Sequence, residues 1–144
     1  MQSNDKVAAS WKQMETQSIE IMRTSIVAQP SSNYNGGPIS ITVQNDGQTN
    51  LSDFAEWDVI VQYESGGVSY LTYSESSSPG NNGWTVLGIY SSGETPAIFD
   101  PGVLDSGEQM ILSVKLNPEL SSGQSCRITI STPNGVKSQI QVNR

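Results

Sequence analysis

Three carboxylates gathered in the segment DPGVLDSGE have the chemistry of a calcium site. Asp100, Asp105 and Glu108 are oxygen ligands close together in a glycine-containing loop, and Ca²⁺ prefers such ligands. Their spacing does not follow the EF-hand loop, and the pairs Asp-Pro and Ser-Gly are ordinary turn chemistry. We therefore predict a turn at this place and no metal site.

A second acidic group, Asp53, Glu56 and Asp58, raises the same question. Asp58 falls on the outward side of a predicted strand, so this group is also interpreted as part of a turn and an exposed surface. A pair of carboxylates can hydrolyse a glycosidic bond, but no pair in this acid-rich chain is distinguished by its position. The sequence therefore predicts exposed acids here and no catalytic site.

The chain contains one cysteine and no histidine. Cys126 lacks the histidine that usually activates a nucleophilic thiol, and its place in an alternating strand predicts a buried side chain. The absence of histidine also removes the commonest general base and the commonest zinc ligand. We predict that the protein is not an enzyme and has no catalytic residue and no cofactor.

Five aromatic residues have the chemistry of a sugar-binding platform on a cell-surface module. They are Tyr63, Tyr70, Tyr73, Trp84 and Tyr90. Most of them also fit positions that cover a sheet or fill a core, and we favour that interpretation. The triplet Asn50-Leu51-Ser52 is an N-glycosylation sequon and matters only if the protein is exported in a glycosylating organism.

The spacing of apolar residues changes near residue 23. Before that point, apolar residues recur at helical intervals, and after it they alternate with polar ones. We predict a helix over residues 4–22 that passes directly into a strand near Arg23. The apolar stripe of the helix is expected to dock on the sheet through Trp11, Met14 and Ile21 or Met22.

Residues 24–144 form short alternating runs separated by turns rich in Gly, Pro, Asn and Asp. This period of two is typical of strands with one buried face. The inward residues predicted on this basis are Ile39, Ile41, Val43, Trp57, Val59, Val61, Tyr63, Met110, Leu112, Val114, Leu116, Cys126, Ile128, Ile130, Ile140 and Val142. We predict a mainly β fold, an immunoglobulin-like antiparallel β-sandwich of about eight strands preceded by one N-terminal helix.

Two predicted strands, VSYLTYS and WTVLGIY, carry apolar or aromatic residues on both faces. A strand of this kind is covered on both faces, and one helix stripe covers only part of a sheet. Residues left uncovered would form a contact for a protein partner, with the loop Ser74–Gly83 at its rim. The candidates are Tyr70, Tyr73, Trp84, Leu87 and Tyr90. The alternative is that all five side chains are buried within the domain.

The net charge of −7 lies wholly in the predicted β part, because residues 1–28 hold equal numbers of acids and bases. Nucleic acids and anionic lipid surfaces require clustered Lys and Arg, so neither is a predicted partner. The sequence has no apolar run long enough to cross a membrane. Abundant Ser, Asn, Gln, Thr and Gly with little Lys favour an exported protein.

Four stretches together resemble the archaellin and type IV pilin-like group, and within it the small stator-type proteins of the archaellum, the archaeal flagellum. They are the passage MRTSIVAQ, the strand and turn ITVQNDGQTNLSDFAEWDVIV, the turn DPGVLDSGEQMIL and the ending RITISTPNGVKSQIQV. This family has an N-terminal apolar helix of about twenty residues, which is absent here. The resemblance implies that such a helix precedes Met1. Residues 1–23 would then continue it outside the membrane, and residues 24–144 would form the sandwich.

The resemblance implies a non-enzymatic structural role at the extracytoplasmic cell surface. It implies protein partners, which are other copies of the chain, filament subunits or a surface-layer protein, and a membrane link only through the helix before Met1. The choice between filament subunit and stator stays open. The alternative function is a cell-surface carbohydrate- or polymer-binding sandwich, and the residues encoded upstream of Met1 would discriminate between the two functions.

Overall fold

The protein is described by a computed structural model that covers residues 19, 21–30, 37–76, 79–91, 95–96 and 102–144. Within them the chain forms the end of a helix at residues 21–23, ten strand segments and one short 3-10 helix, Phe54–Glu56. The strands are β1 (Ile26–Pro30), β2 (Ile39–Asn45), β3 (Asp58–Tyr63), β4 (Val68–Tyr70), β5 (Thr72–Tyr73), β6 (Gly83–Ser91), β7 (Thr95–Pro96), β8 (Gln109–Lys115), β9 (Ser125–Ser131) and β10 (Lys137–Asn143).

The strands form two sheets that enclose one apolar core. One sheet has the strand order β1-β2-β8-β6-β5, with β7 also paired to β6, and the other has the order β10-β9-β3-β4. The strand pairs of the described residues are antiparallel, except that β5 runs parallel to β6. The prediction of a mainly β sandwich is confirmed, whereas the immunoglobulin-like topology and the count of eight strands are not.

Alternating residues build the core, as the sequence pattern predicts. In β2, Ile39, Ile41 and Val43 are buried, and in β3 Val59 and Val61 are buried. The same alternation buries the inward residues of the other long strands, namely Met110, Leu112, Val114, Cys126, Ile128, Ile130, Ile140 and Val142. Burying an apolar side chain of this size stabilises the fold by about 1.5–3 kcal/mol, which explains why the sheets pack through these faces.

The predicted strand VSYLTYS is in fact two strands that belong to different sheets. β4 pairs with β3 in the four-stranded sheet, whereas β5 pairs with β6 in the six-stranded sheet. Leu71 lies buried at the crossing, and its N–H donates to the carbonyl of Val59 at 2.9 Å. The N–H of the next residue, Thr72, donates to the carbonyl of Asn82 at 2.9 Å. Asn82 directly precedes β6, which belongs to the six-stranded sheet. The apolar residues on both faces therefore reflect a change of sheet.

A β-bulge explains why the second of these strands, β6, carries apolar residues on both faces. Its pairing with β8 shifts register between Val86 and Gly88, so Leu87 is an extra residue. Trp84 and Ile89 are both buried although an odd number of positions separates them, because an inserted residue reverses the alternation beyond it. Leu87 itself is exposed.

The two edge strands β1 and β10 close one side of the sandwich. The N–H of Ala28 in β1 donates to Oγ of Ser138 in β10 at 3.0 Å. Pro30, the last residue of β1, has no N–H that could be left unpaired. This edge therefore does not offer a free ladder of polar groups to another strand.

Only the end of the predicted helix falls within the described residues. Ile19 and residues 21–23 are helical, in agreement with a helix that passes into a strand near Arg23. In the part of the chain that the structure describes, no helix combines the length and the apolar character needed to cross a bilayer.

The predicted docking of the helix stays a prediction for its earlier residues. Trp11 and Met14 lie outside the described residues. Ile21 and Met22 are 46% and 78% exposed, so the structure does not bury either of them against the sandwich as we expected.

Candidate functional site

The passage from helix to strand is held by backbone hydrogen bonds to the turn that follows β2. We call residues 23–25 the junction. The N–H of Gln48 donates to the carbonyl of Arg23 at 2.7 Å, and the N–H of Asp46 donates to the carbonyl of Ser25 at 3.2 Å. Without such bonds the backbone of residues 24 and 25 would be free to rotate between the helix end and β1. The junction is therefore fixed to the six-stranded sheet.

Gly47 allows the turn to approach the junction closely. A Cβ atom at this position would lie 2.5 Å from the nitrogen of Ser25 and 2.6 Å from the carbonyl oxygen of Arg23. Both are backbone atoms, so neither can rotate away as a flexible side chain would. The backbone of Gly47 is not in the left-handed region, and close packing therefore explains this glycine.

A second turn reaches the junction from the other sheet. Thr24 is buried, and its Oγ1 lies 2.8 Å from Oγ1 of Thr49. The same Oγ1 accepts a hydrogen bond from Nδ2 of Asn134 at 3.3 Å. Asn134 lies in the turn between β9 and β10, which belong to the four-stranded sheet. The NDG and PNG turns of the sequence thus meet at Thr24 and tie it to both sheets.

The turn that carries Asn134 is closed on itself by Thr132. The N–H of Thr132 donates to the carbonyl of Val136 at 2.8 Å, and the N–H of Val136 donates to Oγ1 of Thr132 at 3.1 Å. The hydroxyl of Thr132 also donates to Oδ1 of Asn134. This contact orients the amide of Asn134 so that its Nδ2 faces Thr24.

Asn45 ties the first turn to a third segment of the chain. Its side chain is fully buried, and Nδ2 donates to the carbonyl oxygens of Thr49 at 2.8 Å and Leu104 at 3.0 Å. Its Oδ1 accepts the N–H of Gly47 at 3.2 Å. A buried amide is tolerated when its donors and acceptor are paired, and the side chain of Asn45 meets that condition.

The acidic groups do not converge in the described structure. Oε1 of Glu108 accepts the N–H of Asp105 at 2.7 Å, and the N–H of Glu108 donates to the carbonyl of Asp105 at 3.0 Å, as in a turn. Asp100 lies outside the described residues. The three acids of the second group are exposed: Asp53, Glu56 and Asp58. Among the residues that the structure describes, no three acidic or thiol side chains are grouped to hold a metal ion.

Cys126 is buried in β9, as its place in the alternating pattern predicts. Loss of hydration disfavours the charged thiolate, so burial raises the pKa of this thiol from 9.0 to about 11. Such a thiol is protonated at neutral pH and is therefore a poor nucleophile. The arrangement suits a small core residue.

Trp84 is the clearest correction to the predicted partner contact. It is 0% exposed, and its ring meets that of Tyr73 edge to face with 4.9 Å between the centroids. Within the described structure, Nε1–H of Trp84 has no hydrogen-bond acceptor. Tyr73 is half-buried against the same core, and the hydroxyl of Tyr63 donates to the carbonyl of Pro118 at 2.8 Å. These rings serve the packing of the domain.

The remaining candidates for the partner contact are divided between the two sheets. The ring of Tyr90 covers Gly88, since a Cβ atom on Gly88 would lie 2.8 Å from the hydroxyl oxygen of Tyr90. Leu87 is exposed on the six-stranded sheet, and Tyr70 is exposed on the four-stranded sheet. The five predicted residues therefore do not form one patch, because Trp84 is buried and Tyr70 lies on a different sheet from the other four.

The residues of the junction were not among the predicted site residues. The sequence identifies NDG and PNG as turns, but a turn motif carries no information about what the turn contacts elsewhere in the chain. The available signal was a polar residue, Thr24, at the boundary between a helical and a β pattern.

Comparison with known proteins gives one family match. A model of the archaeal-type flagellin family matches residues 1–142, which is nearly the whole chain. No curated protein matches the sequence.

Solved structures share the fold. The archaellum periplasmic stator protein FlaG from Sulfolobus acidocaldarius is 24% identical with a TM-score of 0.61, over 82% of this chain and 98% of that chain. The stator protein complex of FlaF and FlaG from the same organism gives 24% identity and a TM-score of 0.61, over 82% of this chain and 88% of that chain. The archaeal flagellum of Methanospirillum hungatei is 14% identical with a TM-score of 0.57, over 99% of this chain and 79% of that chain. At these identities the likeness concerns the fold.

Proposed function

The chain belongs to the archaeal-type flagellin family and is a structural component of an archaellum, and we propose that it is an extracytoplasmic component of the stator type. In this role the N-terminal helix, residues 1–23, continues an apolar helix that anchors the protein in the membrane. Residues 24–144 form the sandwich, which contacts a protein partner of the filament or of the surface layer. The observation that carries the proposal is the fixed junction between the two parts.

A structural part that holds or builds a filament must transmit force from one end of the molecule to the other. Two units joined by a short segment move independently unless contacts across the joint hold them. At the junction the contacts come from both sheets, through the turn at residues 45–49 and through Asn134. A load on the sandwich is therefore shared by several hydrogen bonds and does not rotate the backbone at Thr24.

The stator assignment draws support from the likeness to FlaG, which extends over nearly the whole of that protein. The expectation of a protein partner draws support from the complex in which FlaG is found with FlaF. The acidic surface fits a domain exposed to solvent outside the cell, because like charges on the domain oppose non-specific association.

The carbohydrate-binding alternative is not favoured by the family. It requires aromatic rings that lie together on one open face. Of the rings predicted for a platform, Trp84 is buried, Tyr73 is half-buried and Tyr70 lies on the other sheet. The aromatic residues of the described structure therefore offer no support for a sugar platform.

Deletion of the gene in its own host tests the proposal. For a stator-type component we expect cells that still assemble filaments, visible by electron microscopy, but do not swim. A filament subunit would instead leave cells without filaments, which would replace the stator role by the subunit role. Cells that keep both filaments and swimming would contradict any structural role in the archaellum.

Complementation of the deletion strain tests the part played by the junction. We expect Gly47→Ala, which forces the turn away from residues 23–25, to restore swimming poorly although the protein is exported. The matched control is Gly80→Ala, because a Cβ atom there meets nothing within 4 Å. Full swimming with Gly47→Ala would show that the fixed junction is not needed for function.

A further inference from the structure

The edge strand β4 exposes two apolar side chains on one face. Val68 is 54% exposed and Tyr70 is 74% exposed. Tyr70 lies beside Ile60, its half-buried partner on β3. Exposed apolar residues on a strand at the edge of a sheet are typical of a contact between protein chains.

The backbone of β4 is also available for pairing. The N–H of Leu71 donates to the carbonyl of Val59 at 2.9 Å. In an antiparallel pair, alternate residues direct both polar groups to the partner strand, so Leu71 and Ser69 face β3. Val68 and Tyr70 therefore direct their N–H and carbonyl groups away from β3, towards the open edge.

Among the residues that the structure describes, β4 has only one of the features that keep edge strands apart, its short length of three residues. Edge strands are usually blocked by proline, by charged side chains or by cover from another element. At the opposite side of the sandwich β1 has both Pro30 and the hydrogen bond from Ala28 to Ser138. The sequence of β4 is VSY, with neither proline nor charge.

A groove runs beside the open edge on the inward side of β4. It has a volume of about 350 Å³, and it is lined by Tyr63, Ser65, Gly67, Val68, Ser69, Pro118, Glu119, Ser121 and Gln124. These side chains are mostly small and polar. An added strand would therefore find room on this side for a small polar residue and an apolar surface on the other side.

We propose that β4 pairs with β4 of a second copy of this chain, antiparallel about a two-fold axis at Ser69. In this register Val68 of each copy lies opposite Tyr70 of the other. The two pairs exchange four backbone hydrogen bonds and so use every polar group that Val68 and Tyr70 direct to the edge. Ser69 meets Ser69 above the groove. The contact rests on the proposed structural function, for which it names one partner.

The side chains on the outer face suit a second copy. Two rows cross the four-stranded sheet there: Gln139, Thr129, Ile60 and Tyr70, and beside them Gln141, Arg127, Gln62 and Val68. The two-fold axis joins the first row of one copy to the second row of the other, so Tyr70 adjoins Val68 of the second copy and Ile60 lies behind Tyr70. Neither row contains a carboxylate, although the chain has a net charge of −7. Pairing therefore brings no acids together within these two rows, and the acid beside the contact is Glu119, in the groove on the other side of β4.

Disulfide trapping in the whole chain tests the register. The Cα atoms of a non-hydrogen-bonded antiparallel pair are about 4.5 Å apart, which lies within the range that a disulfide bridges. In a Cys126→Ala background we expect Ser69→Cys to form a covalent dimer on mild oxidation. The matched control, Gln139→Cys on the exposed face of β10, is expected to remain monomeric. If Ser69→Cys fails to cross-link, or cross-links no better than the control, the proposed register is wrong.

Sedimentation equilibrium measures the same contact without a cross-link. We expect Val68→Lys and Tyr70→Lys to weaken dimerisation by about tenfold or more, a loss of roughly 1.4 kcal/mol. Leu87→Lys changes an exposed apolar residue on the other sheet and is expected to leave dimerisation unchanged. A wild-type protein that stays monomeric at every concentration, or an unchanged dimer in Val68→Lys, overturns the inference. Swimming of the complemented deletion strain is a separate measurement. A protein that is monomeric but restores swimming would contradict this contact without contradicting the proposed structural function.

Discussion

The side-chain amide of Asn134 lies 3.3 Å from the hydroxyl oxygen of Thr24 and joins two residues that are 110 positions apart in the chain. Thr24 directly follows the last helical residue, and Asn134 lies in the turn between the last two strands. Thr49 meets the same hydroxyl at 2.8 Å from the turn that follows β2. The end of the helix is therefore tied to both sheets at a single residue.

Adding one methyl group at Gly47 should disturb the junction more than the same change elsewhere. The new Cβ atom would lie within 2.6 Å of two backbone atoms of residues 23 and 25, and overpacking of this kind costs about 1–3 kcal/mol. Urea unfolding of Gly47→Ala should show a loss of stability in that range. Gly80→Ala serves as the control, and an equal effect of the two changes would contradict close packing at Gly47.

Removal of the amide of Asn45 should destabilise the sandwich by about 2–3 kcal/mol, since three hydrogen bonds contribute about 1 kcal/mol each. These bonds join Asn45 to Thr49, Leu104 and Gly47. Thermal unfolding of Asn45→Ala would measure the loss. Gln44→Ala, at the neighbouring exposed position of β2, should change stability by no more than about 0.5 kcal/mol. A small effect at Asn45 would mean that the network contributes little.

The two buried tryptophans should respond differently to replacement by phenylalanine. Each packs edge to face on an aromatic ring, Trp84 on Tyr73 and Trp57 on Phe54. Nε1–H of Trp57 donates to the carbonyl of Ser52 at 2.9 Å, whereas in the described structure that of Trp84 has no acceptor. We expect Trp57→Phe to cost about 1 kcal/mol more than Trp84→Phe in chemical unfolding, because only the first change breaks a hydrogen bond. The opposite order would show that Trp84 has a partner in solution.

The buried thiol of Cys126 should make stability depend on pH in the alkaline range. Its pKa is raised from 9.0 to about 11 in the folded state, so the unfolded chain releases this proton first. Between these two values the native state binds more protons than the unfolded state, and the contribution of the thiol to stability falls as pH rises. It is fully present below pH 9.0. Wild type should therefore lose stability relative to Cys126→Ala across this interval, and parallel curves would contradict the shift.

The alternation of side chains was sufficient to predict most of the core. Ile39, Ile41, Ile128 and Ile130 are buried as their spacing requires, because the pleat of a strand places every second residue on the same face. This information is local, and it survives without knowledge of the partner strands. The end of the helix near Arg23 could also be predicted from local information, because the spacing of apolar residues changes there from helical to alternating.

Features that depend on distant parts of the chain could not be predicted in this way. In the sequence, the change of sheet at Leu71 and the bulge at Leu87 both look like strands with two apolar faces. The predicted contact patch was based on this pattern, whereas the structure places Tyr70 on a different sheet from the other four residues. The role of Asn134 was equally hidden, since it depends on where the turn lies relative to Thr24 in three dimensions. Sequence periodicity reports which face a residue occupies and not which segment covers it.

The distance between the helix end and the sandwich shows whether the junction is held by both sheets. Spin labels at Met22→Cys and Gln139→Cys in a Cys126→Ala background, both at exposed positions, would be measured by double electron–electron resonance. The fixed junction predicts a single narrow distribution of distances in the wild-type junction and a broader one in Gly47→Ala. A broad distribution in the wild type, equal to that of the variant, would show instead that residues 23–25 are a hinge.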